Sequence, residues 1–397
     1  MRILMISDVY FPRVNGVSTS IQTFRREFEA LGHCTTLIAP VYPAPYRDEP
    51  GIIRVPSRYV PLDPEDRMMK RGEIRRLLPR LREERYDLVH VQTPFVAHYL
   101  GVEIARELGV PCLETYHTFF EEYLFHYVPF LPARFLRAMA RRFSRAQSGQ
   151  VDALIVPSGA MRDRLAQYGV ATPMHVVPTG IPLADFSGGD GWAFRRRYGI
   201  PAQRPMLLFV GRMAFEKNIE FLLGALERAL HSLPELLLVI AGEGPALGAL
   251  RRLVNRRSLD EHVLFVGYLD RRHALLDCYR AADAFVFASR TETQGLVLLE
   301  AMALGLPVIS TAVMGTRDIL GPRRGALVPE DDEASFAAAI VGFARDAALR
   351  AKLAEEAKDY ALEWRSDALA RRLVDLYQGI AARHAGGPAL TAAASAR

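Results

Sequence analysis

The stretch AFVFASRTETQGLVLLE (residues 284–300) contains an apolar run followed by two carboxylates eight positions apart. The run 284–289 has the length and composition of a buried strand. If Gly295 opens a helix, Glu292 lies in the loop before it and Glu300 lies inside its first turns. Free backbone N–H groups at a helix start favour phosphate, and carboxylates accept hydrogen bonds from sugar hydroxyls. The stretch therefore predicts a strand–loop–helix unit that can hold a sugar, a diphosphate and a ribose.

Similar apolar runs alternate with helical patterns along the whole chain, which indicates parallel βαβ units. The runs of the first half are Arg2–Ser7, Thr35–Ala39, Leu88–Val91, Cys112–Tyr116, Ala153–Val156 and His175–Val177. Those of the second half are Met206–Val210, Leu236–Ala241, Val263–Val266, Ala284–Ala288, Pro307–Thr311 and Ala326–Val328. We predict an α/β protein of two Rossmann-like doubly wound domains that face each other across a central cleft.

A Pro/Gly-rich stretch over residues 178–191 separates the two sets of strands and is the best candidate for the linker between two domains. It divides the chain into a first domain of residues 1–183 and a second domain of residues 184–364. A helical pattern at about 365–383 is expected to cross back to the first domain. The remaining residues, 384–397, are rich in Ala, Gly and Ser and are expected to be disordered.

Composition places the chain among globular enzymes and excludes several other classes. A chain of 397 residues predicts two domains, and 24% charged residues is ordinary for a soluble protein. Cys34, Cys112 and Cys278 lie far apart, which indicates neither a disulfide framework nor a zinc site. The first residues read as a strand and not as a signal peptide, and no run of 18 apolar residues occurs. We expect a cytoplasmic protein.

The net charge of +5 lies mostly in residues 1–183. An anionic acceptor or surface would explain this excess, and so would a basic face in water. Arginines recur in two helical segments of this half, near 71–82 and 134–145, and a strongly apolar run (123–132) precedes the second. Basic amphipathic helices can lie on anionic lipid, or they can pack on the domain with their arginines in water. Peripheral contact with an anionic membrane is therefore one hypothesis.

Arg212 and Lys217 occupy the loop after the strand-like run Met206–Val210, just before a predicted helix. The chain has only four lysines against 46 arginines, so a lysine in this loop stands out. Two cations at a strand's carboxyl end, beside a helix N-terminus, would balance the charge of a diphosphate. In isolation, the same pair would read as ordinary surface charge near a turn.

The first domain offers a loop and a histidine at strand ends. After the first strand come Asp8 and then Asn15, Gly16 and Val17, which we place on the acceptor side of the cleft. Glycine lets a backbone approach a ligand closely, although a turn with a helix cap explains the loop equally well. His117 follows the strand Cys112–Tyr116, where a histidine can hold a sugar hydroxyl or serve a structural role.

The segment containing Gly242 and Gly244 superficially resembles a dinucleotide fingerprint, but its third glycine, Gly248, comes one place late. A nucleotide pocket is the better interpretation, with Gly267 and Leu269 contributing backbone contacts to a base. The chain contains neither a GxxxxGK[ST] phosphate loop nor an Asp-x-Asp pair. We therefore expect no metal and no other cofactor, and no nucleic acid among its partners.

These motifs together resemble the retaining, two-domain nucleotide-sugar glycosyltransferases of family 4, which have the GT-B fold. The resemblance rests on 11–17, on 211–218 and on Glu292 to Glu300 with the residues that follow to Val308. Where members often carry a Gly-Phe-Gly-like sequence after the first glutamate, this chain has Thr293-Gln294-Gly295. That form is similar to a subgroup with several glycolipid synthases, which makes a lipid acceptor more plausible.

The resemblance implies a role for each second-domain residue. Arg212 and Lys217 would hold the diphosphate. Glu292 would bind hydroxyls of the donor sugar, while backbone N–H groups near Gly295 and Leu296 would bind the β-phosphate. The donor would be UDP-glucose, UDP-galactose or GDP-mannose, and the acceptor a hydroxyl of a lipid or cell-envelope saccharide.

By the same resemblance, Glu300 would take the ribose, His117 the 6-hydroxyl of the sugar, and Gly16 the loop that closes over the phosphate. The implied mechanism is front-face transfer with retention of the anomeric configuration, in which the departing phosphate takes the proton. Two alternatives remain open: a nucleotide-sugar epimerase of the same architecture, and a protein that binds a nucleotide sugar without catalysis. A solute-binding protein fits less well, and the oligomeric state stays open.

Overall fold

A computed structural model of the protein describes residues 1–43, 46–60, 63–117, 133–271 and 273–386. Two parallel β-sheets, each flanked by helices, form its two domains. Their strands are mostly four- to seven-residue apolar runs buried on both faces, which is the pattern of parallel sheets covered by helices.

The first sheet has seven strands in the order β3-β2-β1-β6-β7-β8-β9, all parallel. Its strands are β1 (Arg2–Ile6), β2 (Cys34–Pro40), β3 (Ile52–Val55), β6 (Leu88–Val91), β7 (Cys112–Thr115), β8 (Ala153–Val156) and β9 (Met174–Val176), and a separate antiparallel hairpin contains β4 (Ser57–Val60) and β5 (Asp63–Met69). The order reverses between β1 and β6, so ligands are expected at the carboxyl ends of these two strands.

The second sheet has six parallel strands in the order β12-β11-β10-β13-β14-β15. They are β10 (Met206–Val210), β11 (Leu237–Ala241), β12 (Val263–Gly267), β13 (Ala284–Phe287), β14 (Val308–Ser310) and β15 (Ala326–Leu327). Its order reverses between β10 and β13, the strands that precede the two charged loops identified in the sequence. The two doubly wound domains of the predicted fold class are thus confirmed.

Helices cover both sheets. Those of the first domain are α1 (Gly16–Ala30), α2 (Arg71–Arg75), α3 (Leu78–Glu84), α4 (Val96–Leu108), α5 (Ala133–Ser148) and α6 (Gly159–Gln167). Those that follow are α7 (Gly191–Arg197), α8 (Ile219–Leu230), α9 (Leu247–Arg256), α10 (Ala274–Ala281), α11 (Leu296–Ala303), α12 (Thr316–Leu320), α13 (Glu333–Arg345), α14 (Ala347–Leu362) and α15 (Ser366–Gly386), with 3₁₀ turns at Leu183–Phe186 and Phe215–Lys217.

Helix α15 leaves the second domain and packs on the first sheet beside α1. Its Leu373 and Tyr377 are fully buried in one cluster with strand residues such as Ile3. The Tyr377 hydroxyl hydrogen-bonds Nδ1 of His90, whose Nε2 lies 2.7 Å from the Thr115 hydroxyl. The first domain is therefore completed by the C-terminal end of the described chain.

The chain crosses between the domains twice, and the two crossings are hydrogen-bonded to each other. The N–H of Ile181 donates to the carbonyl of Trp364 (2.7 Å), and the N–H of Ser366 donates to the carbonyl of Ile181 (3.0 Å). Residues 181 and 365 form an isolated parallel bridge at this point. Both crossings therefore lie side by side at one place between the domains.

Several local features differ from the expectation. Strand β3 and the β4–β5 hairpin were not predicted, and the basic segment near 71–82 divides into α2 and α3. Helix α15 continues to Gly386, three residues into the stretch expected to be disordered. The rest of that stretch and the apolar run 123–132 lie outside the described residues.

Candidate active site

Lys217 and Glu292 meet at the carboxyl edge of the second sheet. Lys217 ends the 3₁₀ turn after β10, Glu292 lies in the loop after β13, and the Lys217 ammonium donates a hydrogen bond to the Glu292 carboxylate. The two loops are also joined by Asn218 Nδ2, which donates to the Ala288 carbonyl at 3.2 Å. Both partners of the ion pair keep some exposure, 22% and 17% of their side chains. The pair is therefore held in place and remains accessible.

Gly295 caps the N-terminus of α11. Its φ of +99° is a left-handed conformation that favours glycine, and it carries the chain from the Glu292 loop into the helix. The first turn of α11 contains no acidic side chain. The N–H groups at Gly295 and Leu296 thus belong to a helix start, where a negatively charged group is favoured by the aligned peptide dipoles.

Glu300 lies on α11, is only 2% exposed, and is held by two side chains. The Arg271 guanidinium forms an ion pair with its carboxylate, and the Tyr279 hydroxyl donates to it at 3.1 Å. Glu300 raises the pKa of Arg271, and burial raises the pKa of Tyr279 well above its usual value. Glu300 is thus a buried carboxylate that has both a positively charged partner and a hydrogen-bond donor.

The sequence did not single out Arg271 or Tyr279. Arg271 stands 29 positions before Glu300, and Tyr279 lies inside α10, so neither belongs to a local motif. In the sequence, Arg271 is marked only by the doubled arginine after Leu269 and Asp270, in the loop that follows β12.

The remaining second-domain candidates lie at neighbouring strand ends. Arg212 follows β10 with an exposed side chain. Gly244 follows β11, and Gly267 ends β12, where its carbonyl accepts from the N–H of Gly242 at 2.8 Å. Leu269 is buried just beyond. Strands β12, β11 and β10 are adjacent, so these residues form one edge beside the Lys217 loop.

In the first domain, His117 lies just beyond the end of β7. Its Nε2 is 3.1 Å from the Oε1 of Gln92, which follows the adjacent strand β6. Burial lowers the pKa of His117 to about 4, so the ring is neutral near pH 7. A neutral ring that donates Nε2–H to Gln92 keeps Nδ1 as an acceptor. Gln92, which is 3% exposed, was not predicted from the sequence.

Asn15, Gly16 and Val17 form the start of α1. Asn15 is the N-cap: its side chain accepts from the N–H of Ser18, and the Ser18 hydroxyl accepts from the N–H of Asn15. The space beside Gly16 is open, since an added Cβ would meet no atom within 4 Å. The structural role that the sequence allowed for this loop is thus present, with room for a ligand next to it.

Asp8 supports the neighbouring helix. Its Oδ2 accepts from the Thr93 hydroxyl at 2.9 Å and from the N–H of Ala97 at 3.0 Å. Ala97 lies in the first turn of α4, so the Asp8 carboxylate is positioned at a helix N-terminus, where negative charge is favoured. Asp8 therefore fixes α4 against β1 at the carboxyl edge of the first sheet.

The edges of the two sheets meet near these residues. The Ser158 hydroxyl, just after β8, donates to the carbonyl of Thr293 at 2.7 Å. Strand β8 is adjacent to β7, which precedes His117. The first-domain residues and the Glu292 loop therefore lie on facing sides of one cleft.

Two family profiles match the chain. Residues 14–185 match the one described as Glycosyltransferase Family 4, and residues 190–360 match the one described as Glycosyl transferases group 1. The two matches cover the two structural domains in turn.

Relatives of known activity match both domains. The chain is 36% identical to the alpha-monoglucosyldiacylglycerol synthase of Streptococcus pneumoniae over 78% of its own length and 71% of that protein. It is 30% identical to a GDP-mannose-dependent alpha-mannosyltransferase of Mycobacterium tuberculosis over 83% and 84% of the two chains.

Among solved structures, sucrose-phosphate synthase of Thermosynechococcus elongatus has a similar fold. It superposes with a TM-score of 0.76 over 96% of this chain and 99% of that one, at 23% identity. Together with the profile matches and the two facing doubly wound domains, these similarities show that the chain belongs to glycosyltransferase family 4, with the GT-B fold.

Proposed function

We propose that the protein is a hexosyltransferase that moves a sugar from a nucleotide-diphosphate donor to a lipid hydroxyl with retention of configuration. The observation that carries the proposal is the Lys217–Glu292 pair beside the start of α11. It combines a cation, a carboxylate and free backbone N–H groups within one edge of a sheet. A donor sugar needs this set of groups for its diphosphate and its hydroxyls.

In this proposal the second domain binds the donor. Lys217 and Arg212 hold the diphosphate and stabilise the charge that develops on it as it departs. Glu292 is then free to accept hydrogen bonds from hydroxyls of the sugar, since the phosphate takes over the lysine. The N–H groups of Gly295 and Leu296 bind the β-phosphate. The base and its neighbours lie along Gly244, Gly267 and Leu269.

Glu300 would bind the ribose. Its hydrogen-bond partners in the structure, Arg271 and Tyr279, determine which carboxylate oxygen the ribose can reach. A ribose hydroxyl that donates to Oε1 of the carboxylate competes with Arg271, which contacts that oxygen. Tyr279 contacts the other oxygen and can stay in place. We infer that nucleotide binding turns Arg271 away from Glu300, toward the base or the phosphates.

In the proposed reaction, the protein positions the donor and the acceptor, and no side chain acts as a nucleophile. The acceptor oxygen attacks the anomeric carbon from the face that the diphosphate leaves, and the departing phosphate takes its proton. His117, neutral because of its burial, accepts the 6-hydroxyl of the sugar through Nδ1 and holds the ring in place. Holding the reactants together and excluding water between the domains would supply most of the acceleration. No metal ion is needed in this scheme.

The more similar of the two relatives favours diacylglycerol as the acceptor and glucose as the sugar. The relative at 36% identity is named for glucosylation of diacylglycerol, and the mannosyltransferase is less similar at 30%. The Thr293-Gln294-Gly295 sequence agrees with the glycolipid subgroup. UDP-glucose is therefore the first donor to test, before UDP-galactose and GDP-mannose.

A lipid acceptor implies contact with a membrane surface, and we propose that α5 provides it. Within the described ranges, no helix is long and apolar enough to cross a bilayer. On α5, Phe135 is 55% exposed and Met139 is 37% exposed, among exposed arginines that include Arg142. A partly apolar, basic helix face of this kind binds anionic lipid at the interface.

The second basic segment supports membrane contact less well. Arg75 is paired with Glu103, and Arg82 is paired with Glu107. These pairs join α2 and α3 to α4 and reduce the positive charge that these helices present. Helix α5 is therefore the element to test.

The proposed function is tested by direct transfer. The purified protein would be incubated with each radiolabelled nucleotide sugar and diacylglycerol in anionic mixed micelles, with and without EDTA. We expect labelled glycolipid from UDP-glucose, an α-linkage in the product, and equal rates in both conditions. Hydrolysis or epimerisation of the donor without transfer would contradict a transferase, a β-linked product would contradict retention, and loss of activity in EDTA would contradict metal independence.

A further inference from the structure

Gln294 lies between Glu292 and Gly295, and its side chain connects the two domains. It is only 5% exposed. Its Oε1 accepts from the N–H of Thr179 at 2.8 Å, and its Nε2 donates to the carbonyl of Thr179 at 2.7 Å. The amide therefore pairs with the backbone of one residue in both directions.

Thr179 belongs to the first of the two interdomain crossings, two residues before the bridge that joins them. Its hydroxyl is 2.7 Å from the hydroxyl of Ser20, four residues into α1. Helix α1 begins at Gly16, where we place the loop over the donor phosphates. Gln294 is thus linked through Thr179 to the helix that carries the other side of the proposed donor site.

The residue before Gln294 is also held by the first domain. The carbonyl of Thr293 accepts from the Ser158 hydroxyl, at the N-cap of α6. Next to it, the Asp318 carboxylate accepts from the N–H of Gly159 at 2.6 Å. The short segment between Glu292 and Gly295 therefore contacts both the first interdomain crossing, at Thr179, and the edge of the first sheet, at Ser158.

We propose that Gln294 is a positioning residue that couples the arrangement of the domains to the geometry of the donor-binding loop. The inference rests on the proposed donor site. A buried primary amide can satisfy the donor and the acceptor of Thr179 at once, whereas leaving both unpaired is costly. The phenyl ring of the Gly-Phe-Gly-like form can make neither hydrogen bond. In this chain the loop is held to Thr179 by both hydrogen bonds of the Gln294 amide.

The first test measures the distance between the two domains. Spin labels would be attached to the exposed natural Cys34 in the first domain and to a cysteine introduced by Asp260→Cys at an exposed site in the second. The other two cysteines are buried and should not react. In the protein without ligand, we expect Gln294→Met to broaden the interdomain distance distribution. An unchanged distribution would overturn the coupling.

Gln147→Met is the matched control. Gln147 is equally buried at 3% exposure, and its amide donates to the Pro94 carbonyl inside the first domain. The variant removes a buried glutamine amide of the same kind without touching an interdomain contact. We expect its distance distribution to match that of the wild type. If it broadens as much as that of Gln294→Met, the effect is general destabilisation and the proposal fails.

The second test separates positioning from packing by means of Gln294→Glu. A protonated glutamic acid has an O–H donor and a carbonyl acceptor, so it can replace the amide, whereas the carboxylate cannot. Burial raises the pKa of such a carboxyl, so the variant should recover UDP affinity relative to the wild type between about pH 8 and about pH 5.5. Gln294→Met should not recover. The nearby charged groups, the Lys217–Glu292 pair and Asp318, are the same in all three proteins, so the ratio to the wild type compares the residues at position 294.

At pH 8 we expect Gln294→Met and Gln294→Glu each to raise the UDP Kd about tenfold, which is the size of the effect of one of the two buried hydrogen bonds to Thr179. Equal UDP affinity in all variants, or equal recovery of Gln294→Met at low pH, would overturn the inference. Failure of the wild type to bind UDP would instead contradict the proposed function. The distance measurement would then still decide whether Gln294 couples the domains.

Discussion

Lys217 and Glu292 form an ion pair that joins the loops after the two central strands of the second sheet. The residues are 75 positions apart in sequence, and the parallel β10–β13 pairing brings their loops to the same edge. In the structure, each charge balances the other. A diphosphate would replace Glu292 as the partner of the lysine and leave the carboxylate for the sugar.

Replacing Lys217 by alanine should lower kcat by about 100- to 1000-fold, because it removes a cation from the developing charge of the leaving group. The fold should persist, since the side chain is partly exposed. The measurement is steady-state transfer together with a thermal unfolding curve. Lys352→Ala is the control, because Lys352 is 70% exposed on α14 and pairs only weakly with Glu356 at 3.7 Å. Near-normal turnover of Lys217→Ala would refute its phosphate role.

Breaking the Arg271–Glu300 pair should destabilise the protein, because it leaves a buried carboxylate without its counter-charge. We expect Arg271→Ala to lower the free energy of unfolding by about 3 kcal/mol. Adding Glu300→Gln should restore part of the loss, since a neutral amide needs no counter-charge. Urea unfolding of Arg271→Ala, of Glu300→Gln and of the double variant gives the interaction free energy between the two residues. Strictly additive losses would show that the pair does not interact.

The neutral state of His117 predicts a stability loss in acid. Its folded pKa of about 4 lies below the unfolded value of roughly 6.5, so only the unfolded chain binds the proton in this window. Stability should therefore fall as the pH drops from about 6.5 to about 4. His117→Gln should remove about 2–3 kcal/mol of this loss. Urea unfolding of the wild type and of His117→Gln at several pH values measures this difference. Parallel profiles of the free energy of unfolding against pH would contradict the neutral state of His117. Burial and, to a smaller extent, His117 lower the pKa of His90 to about 3, so the two profiles are compared above about pH 4, where His90 stays neutral in both folded proteins.

Helix α5 should carry membrane binding. The double variant Phe135→Ser and Met139→Ser removes its exposed apolar side chains, and we expect recovery with anionic vesicles to drop several-fold in a flotation assay. High salt should weaken the binding of the wild type, because the arginines contribute through screened attraction. Leu362→Ser, which removes a 55% exposed leucine from the second domain, should leave recovery unchanged. Equal loss in this control would show that α5 has no special role.

Most strands of the two sheets could be predicted from the sequence, because they are apolar runs. Strands such as Met206–Val210 are buried on both faces and were identified to the residue. The hairpin strand Asp63–Met69 was not identified, since it contains Pro64 and four charged residues, which are poor strand formers. Strand Ile52–Val55 is a short run at the sheet edge with an arginine inside it.

The site was predictable only as far as its local motifs reach. Glu292, Gly295 and Glu300 share one loop and helix, so their placement follows from the sequence between them. Arg271 and Gln92 were missed because each meets its partner only through the packing of separate elements. The double hydrogen bond of Gln294 to Thr179 spans 115 positions and depends on how the domains face each other, which no local pattern encodes.

The most direct test of the donor site is a crystal structure of the protein with UDP-glucose, grown in the presence of EDTA. We predict that diphosphate oxygens lie within about 3.2 Å of Lys217 Nζ and of the N–H groups of Gly295 and Leu296. The Glu292 carboxylate should face the sugar hydroxyls, and the ribose should occupy Glu300 in place of Arg271. A diphosphate bound away from Lys217, with the Lys217–Glu292 pair still intact, would contradict the account.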